Sequence, residues 1–139
     1  MIDPTSYGII YRNATPELLQ APVTHDRLMS IIYQQVAGEL AYVYRYPDSQ
    51  TVWYMVLRTP WVGDVHVFSE EGSSRIITSA RGMFDNAKER GLSRVEARTH
   101  NRGFLPLAKR CGMTLEGIRQ RSFRLGDTFV DEYEMGRLL

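Results

Sequence analysis

The stretch that decides the fold of this chain is LSRVEARTHNRGFLPLAKRCGMTLEG, residues 92–117. Its first part alternates charged residues with smaller uncharged ones over positions 94–99, a period of two that predicts a strand with one buried face. Asn101 is a favoured helix-starting residue, and apolar residues then recur on one helical face: Phe104, Leu107, Ala108 and Cys111. Gly112 follows two basic residues, which is typical of a helix end. The stretch therefore predicts a strand, a short helix and the start of another strand.

On either side of this stretch, β-rich runs and periodic apolar faces predict the other elements. Strands are predicted at residues 7–11, 40–46, 51–58, 62–69 and 113–123, with a last strand in FVDEYEMGRLL, residues 129–139. Helices are predicted at residues 26–36 and 73–90, the second opening at Ser73 as its cap and closing at Gly91. This order predicts an α+β fold with a mostly antiparallel sheet, one βαβ crossover between residues 62–69 and 92–99, and helices on both faces.

The composition excludes several classes of function. A length of 139 residues predicts one domain over residues 1–139. The formal net charge of +1 argues against a nucleic-acid-binding protein, and no apolar run approaches the roughly 18 residues of a membrane span. Cys111 is the only cysteine, and no histidine spacing indicates a metal site. With no signal-peptide pattern at its start, the chain is expected to be cytoplasmic.

The same region resembles the GNAT family of acyl-CoA-dependent N-acetyltransferases, most of all the branch that acetylates ribosomal-protein N-termini. The features that carry the resemblance follow the predicted strand in this order: Asn101, Gly112-Met113, Glu116-Gly117, Arg119 and the closing FVDEYEMGRLL. They lie within residues 73–139, and the likeness is weak before residue 73. The resemblance implies a GNAT-like fold, acetyl-CoA as cosubstrate, no metal, and an amine acceptor such as a protein N-terminus, a lysine or a small amine.

In the GNAT family, acyl-CoA lies where two central strands splay apart, and its pyrophosphate lies on the amides that open the following helix. The resemblance assigns those contacts to Gly72, Ser73, Ser74 and Arg75. Unpaired amides and the positive end of the helix dipole attract phosphate. Of the family's glycine-rich pattern only Gly72 remains, because Ser69 and Ser74 depart from it, and Glu70 and Glu71 bring negative charge. An ordinary capped helix after an acidic loop is the alternative reading.

Asn101 matches the family's asparagine, whose side-chain amide binds the pantetheine arm; a plain helix cap is the alternative. Val67 and Phe104 are also assigned to the cofactor groove, which Phe104 would narrow because the family often has a small residue there. The family often has a tyrosine seven positions after the asparagine, where it gives a proton to the departing thiolate. This chain has Ala108 at that position.

Two residues are candidate general bases, His66 and Glu96. Imidazole titrates near neutrality, so His66 suits proton removal from an amine, although a packed strand histidine is the plainer reading. Glu96 and Glu116 are weaker candidates than His66, and Glu96 has a structural alternative as a cross-strand partner of arginine. Cys111 is expected to be buried and inert.

The resemblance to the GNAT family is compatible with two functions. The first is an enzyme that moves an acetyl group from acetyl-CoA to an amine. The second is a catalytically inactive GNAT-like binding or structural module, for example a phage virion component, which the departures at Ser69, Glu70, Phe104 and Ala108 favour. Self-association, as a homo-oligomer or within a virion, is compatible with either function. Fold does not decide between them.

Overall fold

The computed structural model describes residues 1–139 and contains four α-helices and six strands. A single 3-10 turn, Arg102–Phe104, leads into the last helix. In chain order the elements are α1 Pro4–Asn13, α2 His25–Ala37, β1 Ala41–Arg45, β2 Thr51–Leu57, β3 Val62–Ser69, α3 Ser73–Glu89, β4 Arg94–Thr99, α4 Leu105–Arg110, β5 Thr114–Leu125 and β6 Thr128–Leu138.

The six strands form one sheet in the order β1-β2-β3-β4-β6-β5. Every neighbouring pair is antiparallel except β3 and β4, which are parallel and connected through α3. This confirms the predicted α+β fold with a mostly antiparallel sheet and one βαβ crossover. None of the four helices has the length and apolar character that a membrane crossing requires.

Helices cover both faces of the sheet, as predicted. The face under α3 and α4 holds a core of 15 buried residues that includes Met83, Phe84 and Val95. The opposite face, under α1 and α2, holds a second core of 10 buried residues that includes Ile9 and Phe68. Successive residues of β3 contribute to opposite cores because side chains alternate along a strand.

The predicted first strand at residues 7–11 is wrong, because these residues lie inside α1. Asp3 caps this helix by accepting a hydrogen bond from the backbone N–H of Ser6 at 2.9 Å, and a proline occupies its first turn. Ile9 and Ile10 are fully buried against the sheet. Burial of two isoleucines contributes about 3–6 kcal/mol, which outweighs the β preference of the run YGIIY.

Candidate active site

The parallel strands β3 and β4 separate after a short paired segment. They are paired only from Val62 to Asp64 on β3 and from Arg94 to Glu96 on β4, although β3 continues to Ser69. Beyond this segment the facing edges of both strands have no strand partner. Buried backbone N–H and C=O groups require hydrogen bonds, so these edges can bind an extended ligand that carries amides.

A cavity of about 600 Å³ occupies the gap and reaches from one face of the sheet to the other. Met83 and Phe84 of α3 and Ala108 of α4 line one end, which we call the α3 side. Leu19, from the connection between α1 and α2, and Phe68 line the other end, the α1 side. The volume falls within the range of about 300–1,000 Å³ that is common for small-molecule sites.

Three of the residues that the sequence assigned to a cofactor, Val67, Asn101 and Phe104, line this cavity. Val67 and Phe104 also pack against the core beneath α3. The side-chain oxygen of Asn101 accepts a hydrogen bond from the backbone N–H of Gly103 at 2.9 Å, so the residue does act as a helix cap. Because only its oxygen is used, its amide nitrogen remains available as a donor.

The loop between β3 and α3 leaves the beginning of α3 open. Gly72 precedes the first helical residue, Ser73, and no side chain caps the helix, which differs from the predicted capping role of Ser73. The first amides of the helix, those of Ser73 and Ser74, are therefore available to an anion. Arg75 points elsewhere: its guanidinium contacts Glu71 at 3.3 Å and donates to the Asp48 carbonyl at 3.1 Å.

The two acidic residues of this loop bind other parts of the protein. Glu70 accepts hydrogen bonds from Arg12 and Asn13 at the end of α1, and these bonds lower its pKa to about 2. Glu71 accepts hydrogen bonds from Ser49 and Thr51 and from the backbone N–H of the intervening residue 50. Burial opposes ionisation of Glu71, but the hydrogen bonds outweigh it and lower its pKa. Hydrogen-bond donors outside the loop thus compensate the charges of both carboxylates.

His66 and Asp64 lie on the same face of β3 and line the cavity. Burial lowers the pKa of His66, although the charge of Asp64 opposes the shift. Burial also raises the pKa of Asp64, against the opposing effect of His66 and Arg98. His66 is therefore neutral at pH 7, and an imidazole with a free lone pair can accept a proton.

Glu96 lies outside the cavity, and its carboxylate contacts Arg58 and Arg94. This arrangement matches the structural alternative for Glu96, a cross-strand partner of arginine. Glu116 likewise pairs with Arg94. Both carboxylates bind guanidinium groups and neither lines the cavity, so neither is placed to take a proton from a ligand there.

The α1 side also includes residues that the sequence analysis did not select: Gln20, Ser122, Phe123 and Glu132. The side-chain amide of Gln20 bonds both backbone groups of Arg124 at 3.0 Å, which attaches the α1–α2 connection to the end of β5. These contacts join positions about a hundred residues apart, so no local pattern predicts them. Asp64, by contrast, stands two residues before His66 on a predicted strand, and that spacing was a usable signal.

Cys111 is buried, and burial raises the pKa of its thiol despite the nearby charge of Arg110. A thiol with a raised pKa is a poor nucleophile, which agrees with the expected inert role. The side chains that are able to bind metals do not gather in groups of three or more.

No protein-family model matches this sequence, and no curated protein matches it either. Solved structures do match its fold. Spermidine N-acetyltransferase from Vibrio cholerae, in complex with CoA and spermine, aligns with a TM-score of 0.78 over 99% of this chain and 92% of that chain, at 12% identity.

Two other solved structures give the same result. Ribosomal-protein-alanine N-acetyltransferase from Brucella melitensis aligns with a TM-score of 0.70 over 98% of this chain and 93% of that chain, at 13% identity. A GNAT-family acetyltransferase from Streptococcus pneumoniae aligns with a TM-score of 0.63 over 85% of this chain and 79% of that chain, at 16% identity. At such identities the likeness concerns the fold, and the chain has the fold of the GNAT acetyltransferases.

Proposed function

We propose that this protein transfers an acetyl group from acetyl-CoA to an amine, and that the transfer takes place in the cavity between β3 and β4. The observation that carries the proposal is the gap itself, which opens a continuous cavity of about 600 Å³ across the sheet. The solved structures with the same fold that contain CoA support this assignment.

The α3 side of the cavity suits the CoA molecule. The unpaired edges of β3 and β4 are able to bond the amides of an extended pantetheine arm, with Val67 and Phe104 against it and the free amide nitrogen of Asn101 as a further donor. The amides of Ser73 and Ser74 next to Gly72 are suited to the pyrophosphate. Arg75 contributes only if it leaves Glu71.

The α1 side suits the acceptor amine. His66 takes the proton from the amine nitrogen, which attacks the thioester carbonyl carbon; the new C–N bond forms as the C–S bond breaks. Asp64 and Glu132 supply carboxylates, and Leu19 and Phe123 supply apolar contacts. A primary amine on an apolar stem fits this combination. With Ala108 in place of a tyrosine, the thiolate takes its proton from solvent.

The second candidate is a GNAT-fold module without catalytic activity. The observation that favours it is the pairing of Arg75 with Glu71, which removes the loop's own cation from the proposed pyrophosphate site. Ala108 adds to it, because no side chain takes the role of the family's tyrosine. A module of this kind, for example in a virion, would have the GNAT fold and would not bind acetyl-CoA.

A thiol-release assay separates the two candidates. The protein is mixed with acetyl-CoA and one amine at a time: spermidine, a peptide with an N-terminal alanine, or phenethylamine. Enzymatic transfer predicts release of the CoA thiol that requires both the amine and His66, with at least a hundredfold loss in His66→Gln. The matched control is His25→Gln, because His25 lies on α2 and its ring bonds the Tyr11 carbonyl away from the cavity. No release with any amine between pH 6 and 9 favours the module.

A further inference from the structure

A second cavity lies on the α3–α4 face, next to the one between β3 and β4. It has a volume of about 400 Å³ and shares Phe84 and Cys111 with the larger cavity. Arginines from three different elements line it: Arg81 of α3, Arg110 of α4 and Arg137 of β6. We call this the arginine pocket.

The three guanidinium groups have no anionic partner in the protein. None of them lies within 4.0 Å of a carboxylate, although six other arginines of the chain form ion pairs. Asp85 is the one acidic residue of the pocket, and it does not pair with any of the three. Three guanidinium groups and one carboxylate give the pocket a net charge of +2. Like charges in one pocket repel, so an anion that binds all three stabilises the arrangement.

Packing holds one of the three arginines in place. The Arg137 guanidinium lies 4.4 Å above the ring of Phe84. It also lies against the Cα of Gly112, so closely that a side chain at this position would overlap it. Gly112 has a φ of +104°, a conformation that glycine adopts readily. A fixed guanidinium loses little entropy when it binds an anion, which favours binding.

We infer that the arginine pocket binds the phosphate group of a small phosphomonoester. Guanidinium groups bind phosphate through paired N–H donors, and three of them together match a dianion. Ile77 and Phe84 give the pocket an apolar wall for the organic part of the ligand. This site is separate from the loop at Gly72, and it exists whether or not the protein transfers acetyl groups.

The first test is a titration with inorganic phosphate at constant ionic strength, followed by NMR of the arginine Nε–H groups. Saturable shifts are expected for Arg81, Arg110 and Arg137. The dissociation constant should rise about tenfold or more in Arg81→Gln and in Arg110→Gln. The matched control is Arg27→Gln, which removes the same charge from an exposed, unpaired position on α2 and should leave the constant within twofold of wild type.

Stability without phosphate provides a second readout. Arg81 is exposed and its side chain makes no hydrogen bond or ion pair, so Arg81→Gln should fold normally and, by reducing repulsion, be at least as stable as wild type. The thermal shift that phosphate produces in wild type should shrink in this variant. Non-saturable NMR shifts, or an equal weakening in Arg27→Gln, would overturn the inference, because both indicate a diffuse charge effect.

Comparison of CoA with 3′-dephospho-CoA identifies the source of the phosphate. If Arg81→Gln weakens CoA and leaves 3′-dephospho-CoA unchanged, the phosphate belongs to CoA. If neither affinity changes and inorganic phosphate still binds beside CoA, the ligand is a separate phosphomonoester. Either result supports a phosphate site in the arginine pocket. If the protein binds phosphate in the arginine pocket but releases no thiol from acetyl-CoA, the phosphate site is supported and the proposed acetyl transfer is contradicted.

Discussion

Gly91 and Gly112 end α3 and α4 with the same backbone motif in different surroundings, which makes them a matched pair for substitution. At each end the glycine N–H bonds the carbonyl three residues back, and the next N–H bonds the carbonyl five residues back. Their φ values are similar, +92° and +104°. A Cβ on Gly91 meets no atom within 4 Å, whereas a Cβ on Gly112 overlaps the guanidinium of Arg137.

The expected costs follow from this geometry. An alanine held at such a φ costs about 1–2 kcal/mol, and this cost applies to both Gly91→Ala and Gly112→Ala. Gly112→Ala also displaces Arg137 from the face of Phe84, an interaction of about 0.5–1 kcal/mol at an exposed position. Gly112→Ala should therefore be the more destabilising by about 0.5–1 kcal/mol, or about 2–4 °C at this chain length.

Urea unfolding of both variants, in wild type and in an Arg137→Ala background, measures these terms separately. Gly112→Ala should lose more unfolding free energy than Gly91→Ala only while Arg137 is present. In the Arg137→Ala background this difference should disappear, and the loss in Gly91→Ala should stay the same. Equal costs for the two glycine variants would show that Arg137 does not pack against Gly112. If the difference between the two glycine variants persists in the Arg137→Ala background, its cause lies in the backbone.

Three further predictions concern the site and its surroundings. Since burial lowers the pKa of His66, the ratio of kcat/KM in wild type to kcat/KM in His66→Gln, in which titration of the acceptor amine cancels, should stay constant from pH 8 to neutrality and fall only below the ordinary histidine value of 6.5; a ratio that already falls near pH 8 would exclude His66 as the base. Ala108→Tyr supplies a thiolate proton donor, and its kcat should exceed that of Ala108→Phe, which carries a ring of similar size, about tenfold or more; equal rates would show that a proton donor at residue 108 does not assist the departing thiolate. Glu70 has a lowered pKa, so the extra stability of wild type over Glu70→Gln, from urea midpoints, should be full well above pH 4.5 and be lost as the pH falls through about 2; a pH-independent difference would contradict an ionic origin.

Most of the fold was predictable because apolar periodicity and glycine positions are local signals. The β hairpin of residues 40–58, the helix at 73–90 and the ordered elements of 92–117 all appear close to their predicted bounds. The exception is residues 7–11, where β-branched isoleucines favour a strand locally. Burial against the sheet and the Asp3 cap make the segment helical, and only the first of these depends on tertiary contacts.

The lining of the candidate site was predictable only where it lies along one strand or one turn. His66, Val67, Asn101 and Phe104 line the cavity because their elements border the gap. The ion pair of Glu70, in the loop before α3, was not predictable, since its partner Arg12 is 58 positions away. The same holds for the contact of Gln20 with the end of β5, which completes the α1 side of the cavity.

Calorimetric titration with acetyl-CoA is the decisive test of an acyl-CoA site between β3 and β4, because it needs no knowledge of the acceptor. We expect saturable binding, which stabilises the fold by about 2.7 kcal/mol at 100 times the dissociation constant. Binding should be at least tenfold weaker in Ala97→Phe, since Ala97 lines the cavity between the strands and a phenyl ring there narrows the gap. The urea midpoint of the variant shows that it is folded. No saturable heat up to millimolar acetyl-CoA with folded wild type, or unchanged affinity in Ala97→Phe, would contradict an acyl-CoA site between β3 and β4.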